Sequence, residues 1–173
     1  DLILMDTAAE YANYSSDLTR TIPVDGTYTD RQKSVYQSVL HVKKEATKML
    51  KEGTAWKVYN EEIGKLMTSE LVKLKLLDKA DLQNQSQENP AYKKYFMHGT
   101  SHHLGLDTHD YGDFEKEMKA NMVLTVEPGI YIPKENLGIR LEDDVVLQKN
   151  TEPLNLMKNI PIEIEEIESL MNT

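Results

Sequence analysis

Hydrophobic positions change their spacing several times along this chain, and each change marks a different kind of element. Residues 2–6 begin as an unbroken apolar run, Leu2-Ile-Leu-Met5, and end on Asp6. A short run of this kind reads as a buried strand. It starts one residue from Asp1, as a strand already under way, which predicts further residues upstream. Tyr11 to Pro23 read as a second extended segment, joined to the first by the small residues Thr7, Ala8 and Ala9. Asp25-Gly26 is a tight-turn signal that would close a hairpin.

The spacing then becomes helical. Thr29-Asp-Arg-Gln32 has the form of a capping box. Behind it Val35, Tyr36, Val39, Leu40, Ala46, Met49 and Leu50 recur at helical intervals, and Gly53 suits the position after a helix end, so 30–52 is predicted as a helix. A second helix is predicted over 55–75, burying Val58, Tyr59, Ile63, Leu66, Met67, Leu71 and Leu74. Residues 78–95 are polar, contain Asn89-Pro90 and read as a loop. Segments 96–106, 122–132 and 138–148 are short, β-prone and separated by Gly, Pro and Asn, which predicts antiparallel strands. Pro161 would open a last helix with Ile162, Ile164, Ile167, Leu170 and Met171 as its apolar stripe. Helices beside an antiparallel sheet make an α+β domain.

Composition narrows the chemistry. The 173 residues are enough for one domain with a real core. A formal net charge of −9 argues against non-specific nucleic-acid binding, which needs clustered Lys and Arg. No apolar run approaches the ~20 residues of a membrane span. There is no cysteine, so a metal site would have to use His and carboxylate. A chain without disulfides fits the cytoplasm.

The informative feature is where acids and histidines fall. Asp6, Asp17, Glu127 and Glu142 all sit in β segments that otherwise look buried. Carboxylates are rarely buried unless paired or bound to metal. Several facing one core would raise each other's pKa, and a divalent cation resolves that conflict. Strand alternation lets Arg140 and Glu142 face one cleft and cannot place both Asp143 and Asp144 there; the two are read as edge or solvent-facing. Four of the five histidines lie between His98 and His109, among glycines that let backbone approach a ligand. His41, mid-helix among Lys and Glu, reads as structural.

These segments together resemble the pita-bread metallopeptidases: aminopeptidase P, Xaa-Pro dipeptidase (prolidase) and, more distantly, methionine aminopeptidase. The carriers are Asp6-x10-Asp17 followed by Thr19-Arg20-Thr21, His98-Gly-Thr-Ser-His102 through His109-Asp110, Val126-Glu127-Pro128-Gly129-Ile130-Tyr131, and Ile139-Arg140-Leu141-Glu142-Asp143-Asp144. The stretch from Thr100-Ser101 to Asp107 is more similar to bacterial aminopeptidase P than to prolidase. One departure is Asp6-Thr7-Ala8-Ala9, where the family has a small residue and a glycine; Ala is small enough for the geometry to survive.

The resemblance implies a partial pita-bread fold and five metal ligands: Asp6, Asp17, His102, Glu127 and Glu142. Asp17 and Glu142 would bridge two divalent ions, Asp6 would bind one, and His102 and Glu127 the other. Mn²⁺ suits such an oxygen-rich set, with Co²⁺, Fe²⁺ or Zn²⁺ as alternatives. It further implies release of the N-terminal residue from peptides with proline second, by attack of a metal-bridging hydroxide. Glu127 would accept the proton, His109 would stabilise the oxyanion, and His98, Tyr131 and Arg140 would line the proline pocket. Core packing for Tyr131 and an acid partner for Arg140 are compatible with those roles. Residues 1–173 would be the C-terminal part of the catalytic domain, without the N-terminal domain and the first part of the catalytic domain. Homo-oligomers are common among such enzymes. Three other readings stay open: a prolidase, a ligand-free peptide-binding or creatinase-like relative, and a fragment that is silent alone.

Overall fold

The computed structural model describes residues 1–86 and 88–173. Strand β1 (Leu2–Thr7) and strand β4 (Leu18–Pro23) pair antiparallel, Asp6 opposite Thr19. Between them a tiny hairpin, β2 (Glu10–Tyr11) with β3 (Tyr14–Ser15), caps the turn. Ala12 and Asn13 sit at positive φ inside that turn. The extended segment expected over 11–23 is thus two strands. The turn at Asp25-Gly26 leads into a helix and closes no hairpin. Among the described residues β1 pairs only with β4, and Ile3 and Met5 are exposed, where the apolar run predicted a buried strand.

Helix α1 (Asp30–Met49) starts on the predicted capping box, in which Thr29 and Gln32 bond each other's backbone reciprocally. It ends three residues short of the expected boundary. Helix α2 (Trp56–Lys73) follows. Their facing sides carry the core, including Val35, Tyr36, Val39, Leu40, Tyr59, Ile63, Met67 and Leu71. Val58 lies outside this seam and is exposed. The segment expected as loop holds a short helix, α3 (Lys79–Asn84), and a 3-10 turn, Ala91–Lys94; residue 87 within it lies outside the described residues.

The C-terminal half makes two further sheets. β5 (Val123–Val126), β8 (Asp143–Val146) and β9 (Leu154–Asn155) form one, in the order β5-β8-β9. β6 (Gly129–Ile132) and β7 (Leu137–Arg140) form the other. Each of the two long predicted strands is broken, at Glu127-Pro128 and at Leu141-Glu142, so its halves enter different sheets. Proline cannot donate to a ladder, which accounts for the first break. Segment 96–106 is not a regular strand. It runs along β5 through Glu127 N to Thr100 O at 2.8 Å and Thr125 N to His102 O at 3.0 Å, with isolated bridges at His103. Helix α4 (Ile164–Met171) begins at N-cap Glu163, beyond Pro161, and buries Ile164 and Ile167 but leaves Leu170 and Met171 exposed. Among the described residues no helix is long and apolar enough to cross a membrane.

Candidate metal centre

Interruptions of the strands create the site. Asp6 comes from β1, and Asp17 from the residue just before β4. Glu127 follows β5, and Glu142 occupies the break between β7 and β8. His102 is held against β5 by its backbone, whose N–H donates to Thr125 Oγ1 at 3.1 Å. At these breaks side chains need not alternate, so all five converge. One potential ligand atom each from Asp6, Asp17 and Glu142 lies within 4.8 Å of the others, and the same holds for His102, Glu127 and Glu142. A third such group is Asp17, His102 and His109. Asp17, His102 and Glu142 each belong to two groups.

Two of these carboxyls, Glu142 and Glu127, keep their protons to higher pH than usual. Burial, then the neighbouring Glu127 and Asp17, pushes Glu142 from an ordinary 4.5 up to about 8, against the lowering by Thr19. Burial raises Glu127 to about 7 even though Arg140 pulls the other way. Asp17 is also raised, by burial and then by the charge of Asp6. Burial holds the imidazole of His102 towards its neutral form. Its Nδ1–H donates to the carbonyl of His103 at 3.0 Å, which turns Nε2 towards Asp17 at 3.6 Å and Glu127 at 3.5 Å. Among the described residues, the buried His102 Nε2 and Glu142 Oε1 find no hydrogen-bond partner, nor does Asp144 Oδ1 beside them.

The remaining expected residues surround this cluster. His98 Nδ1–H donates to Gly99 O at 2.7 Å, so Nε2 accepts the Tyr131 hydroxyl at 2.8 Å. His98 also lies 3.6 Å from Glu127. Arg140 donates to Tyr131 at 3.3 Å, to Thr19 Oγ1 at 3.0 Å and to the carboxylate of Asp6. Its acid partner is therefore Asp6. His109 stacks over His102 with ring centroids 4.2 Å apart.

The family model for metallopeptidase family M24 matches residues 1–149. The chain belongs to metallopeptidase family M24. It is 40% identical to the Xaa-Pro aminopeptidase of Escherichia coli over 99% of its own length and 41% of that relative. It is 37% identical to the Xaa-Pro aminopeptidase of Haemophilus influenzae, over 99% of itself and 42% of the relative. A solved structure of E. coli aminopeptidase P, an alanine variant, superimposes with a TM-score of 0.88 at 39% identity, covering 99% of this chain and 41% of that one. This M24 chain thus spans about two fifths of the length of the relatives it matches. The match makes the α+β architecture a pita-bread fold.

Divalent metal belongs to this family, and the residues of the M24 chain fit it. Oxygen donors with one or two imidazoles are a hard-to-borderline set. The orphaned Nε2 and Oε1 could be completed by a cation, and positive charge there would favour the ionised carboxylates that burial and their neighbours disfavour.

Strand alternation misplaced Asp143 and Asp144: both are only 2% exposed. The break at Glu142 resets the parity on which that expectation rested. Asp143 accepts from Arg20 at 2.7 Å, from Asn155 Nδ2 at 2.7 Å and from Lys43 of α1. Burial alone would raise its carboxyl; Lys43 and Arg20 overcome that and hold it below the usual range. Arg20 also donates to the carbonyls of Glu142 at 2.6 Å and Thr19 at 2.9 Å, clamping β4 to the Glu142 segment. Asp144 accepts the backbone N–H of Asp17 at 3.0 Å. Thr19 and Arg20 lie in the Thr19-Arg20-Thr21 motif, which marked their place but not these contacts. His41 lies 3.8 Å from Glu70, in keeping with its structural reading.

Proposed function

We propose that this chain is the metal-holding part of an aminopeptidase that releases the N-terminal residue from peptides with proline at the second position. The observation that carries this reading is the pair of ligand groups Asp6/Asp17/Glu142 and His102/Glu127/Glu142, which share Glu142. The similarity to Xaa-Pro aminopeptidases supports the substrate class. Asp6, Asp17, His102, Glu127 and Glu142 would hold two divalent ions, for which Mn²⁺ is well suited. Such ions would supply an acidified water and polarisation of the scissile carbonyl.

The chain's own residues do the rest. Glu127 takes a proton from the attacking water as its oxygen bonds the carbonyl carbon. It then delivers that proton to the proline nitrogen as the C–N bond breaks. His109, beside His102, donates to the oxyanion that develops. His98 and Tyr131, locked to each other at 2.8 Å, form one wall of the proline pocket. Arg140 ties that wall to Asp6, so substrate position and ligand position are coupled.

The test is hydrolysis of Ala-Pro-Ala by the full-length protein with Mn²⁺ and with EDTA. Metal-dependent release of free alanine is expected. No release despite measured Mn²⁺ binding would overturn the reading.

A further inference from the structure

Helix α2 meets the chain on both sides of His102. Trp56 and Tyr59, three positions apart, share one face of the helix. The Tyr59 hydroxyl lies 2.8 Å from Ser101 Oγ, and the Trp56 indole packs on the His103 ring with centroids 5.5 Å apart. One helix thus holds the residue before His102 and the residue after it, while His102 Nε2 stands 3.5 Å from Glu127. The same segment is bonded to β5 and Glu127 through the carbonyls of His102 and Thr100. Those backbone bonds fix its place along the sheet, and the two aromatic contacts fix it against the helix.

Packing alone does not require a tyrosine at position 59. The side chain is 1% exposed, and phenylalanine would fill the same space with no polar atom to satisfy. A buried phenol is tolerated when its hydroxyl has a partner, and here Ser101 Oγ is that partner. Burial raises the phenol's pKa, the Ser101 bond opposes the rise, and the charge of Glu127 adds to it. Tyr59 therefore also stands within electrostatic reach of the acid grouped with His102. Glu127 donates its backbone N–H to the carbonyl of Thr100 at 2.8 Å, one residue before Ser101. The hydroxyl pair anchors the chain between the points from which both side chains are held.

We propose that Tyr59 is a positioning residue for the metal centre, its hydrogen bond to Ser101 setting where His102 Nε2 stands relative to Glu127. This rests on the ligand reading above. The effect of Tyr59 reaches the metal through Ser101 and the backbone on either side of it. Outer contacts of this kind contribute about 10- to 100-fold to metal affinity.

The test uses the full-length protein with Tyr59→Phe, Ser101→Ala or both. Calorimetric titration with Mn²⁺ should give each single variant an affinity about tenfold below the parent. The double variant should be no weaker than the singles, because either change already breaks the one bond. Visible absorption of the Co²⁺-loaded proteins should show the same altered bands in all three, a change of ligand geometry that lost packing alone would not give. Melting in EDTA reports the fold separately; Tyr59→Phe keeps the ring, and Ser101 is only partly buried. Parental Mn²⁺ affinity with an unchanged Co²⁺ spectrum in Tyr59→Phe would overturn the positioning role, whatever its melting point. So would losses that multiply in the double variant. If the parent protein itself binds no Mn²⁺, it is the ligand reading that fails.

Discussion

The Thr19 hydroxyl donates a 2.6 Å hydrogen bond to Glu142 Oε2 while accepting one from Arg140 Nε at 3.0 Å. A single oxygen thus links the most buried acid of the cluster to the arginine that holds Asp6. Replacing Thr19 with Val keeps the shape and removes the link. Both partners would be left short of a bond, at about 1–3 kcal/mol. Chemical denaturation should show that loss, and calorimetry should show Mn²⁺ affinity reduced by about tenfold. Unaltered metal affinity would mean the hydroxyl does not orient Glu142.

Glu127→Gln keeps volume and one ligand oxygen but cannot carry a proton. Steady-state assays on Ala-Pro-Ala should show kcat lowered by about 10²–10⁴-fold, the range for a general base. Asp17→Ala should abolish turnover. Near-parental rates for either would count against the assigned roles.

Without metal, stability should fall as pH rises. Glu142 moves from 4.5 to about 8, Glu127 from 4.5 to about 7 and Asp144 from 3.8 to about 7 on folding, each driven first by burial. Between the unfolded and folded values the unfolded chain has released these protons and the folded chain has not. The unfolded state therefore gains ground across about pH 4 to 8. The depressed Asp143 acts in the opposite sense, but only around and below its unfolded value of 3.8, beneath the pH 5 to 8 range of the measurement. Melting curves in EDTA should move to lower temperature from pH 5 to pH 8, and Mn²⁺ should restore most at pH 8. A flat profile would mean the carboxylates are not crowded as described.

Lys43→Met tests the buried clamp behind the site. Asp143 would keep Arg20 and Asn155 but lose one of two cations in a dry environment, for about 3 kcal/mol by urea denaturation. Lys48→Ala, which removes an exposed pair with Glu45 on the same helix, should stay within about 0.5 kcal/mol. Similar losses for the two would deny the clamp its role.

Local rules carried much of this structure. Thr29 and Gln32 announced the start of α1, and the apolar spacing announced its buried face. The residues proposed as ligands stood out through resemblance, and the fold brings their side chains together in the groups Asp6/Asp17/Glu142 and His102/Glu127/Glu142. What misled was the two-residue period. It assumes an unbroken strand, and the chain breaks its strands at Glu127 and Glu142. Asp143 and Asp144 were therefore expected near solvent, although Lys43 and Arg20, far away in sequence, provide the charge that lets Asp143 be buried. Val58 shows the same limit on a helix: spacing admits it to the apolar stripe, but no neighbour covers it.

Asp6 and Arg140, bonded across the site, are 134 positions apart. During synthesis the ribosome delivers Asp6 136 positions before Glu142. A nascent chain can gather neither proposed ligand group containing Glu142 until Glu142 has emerged, and long-range pairings of this kind close slowly. Assembly of the proposed metal site would therefore wait for the Glu142 segment, which joins partners met much earlier in the chain.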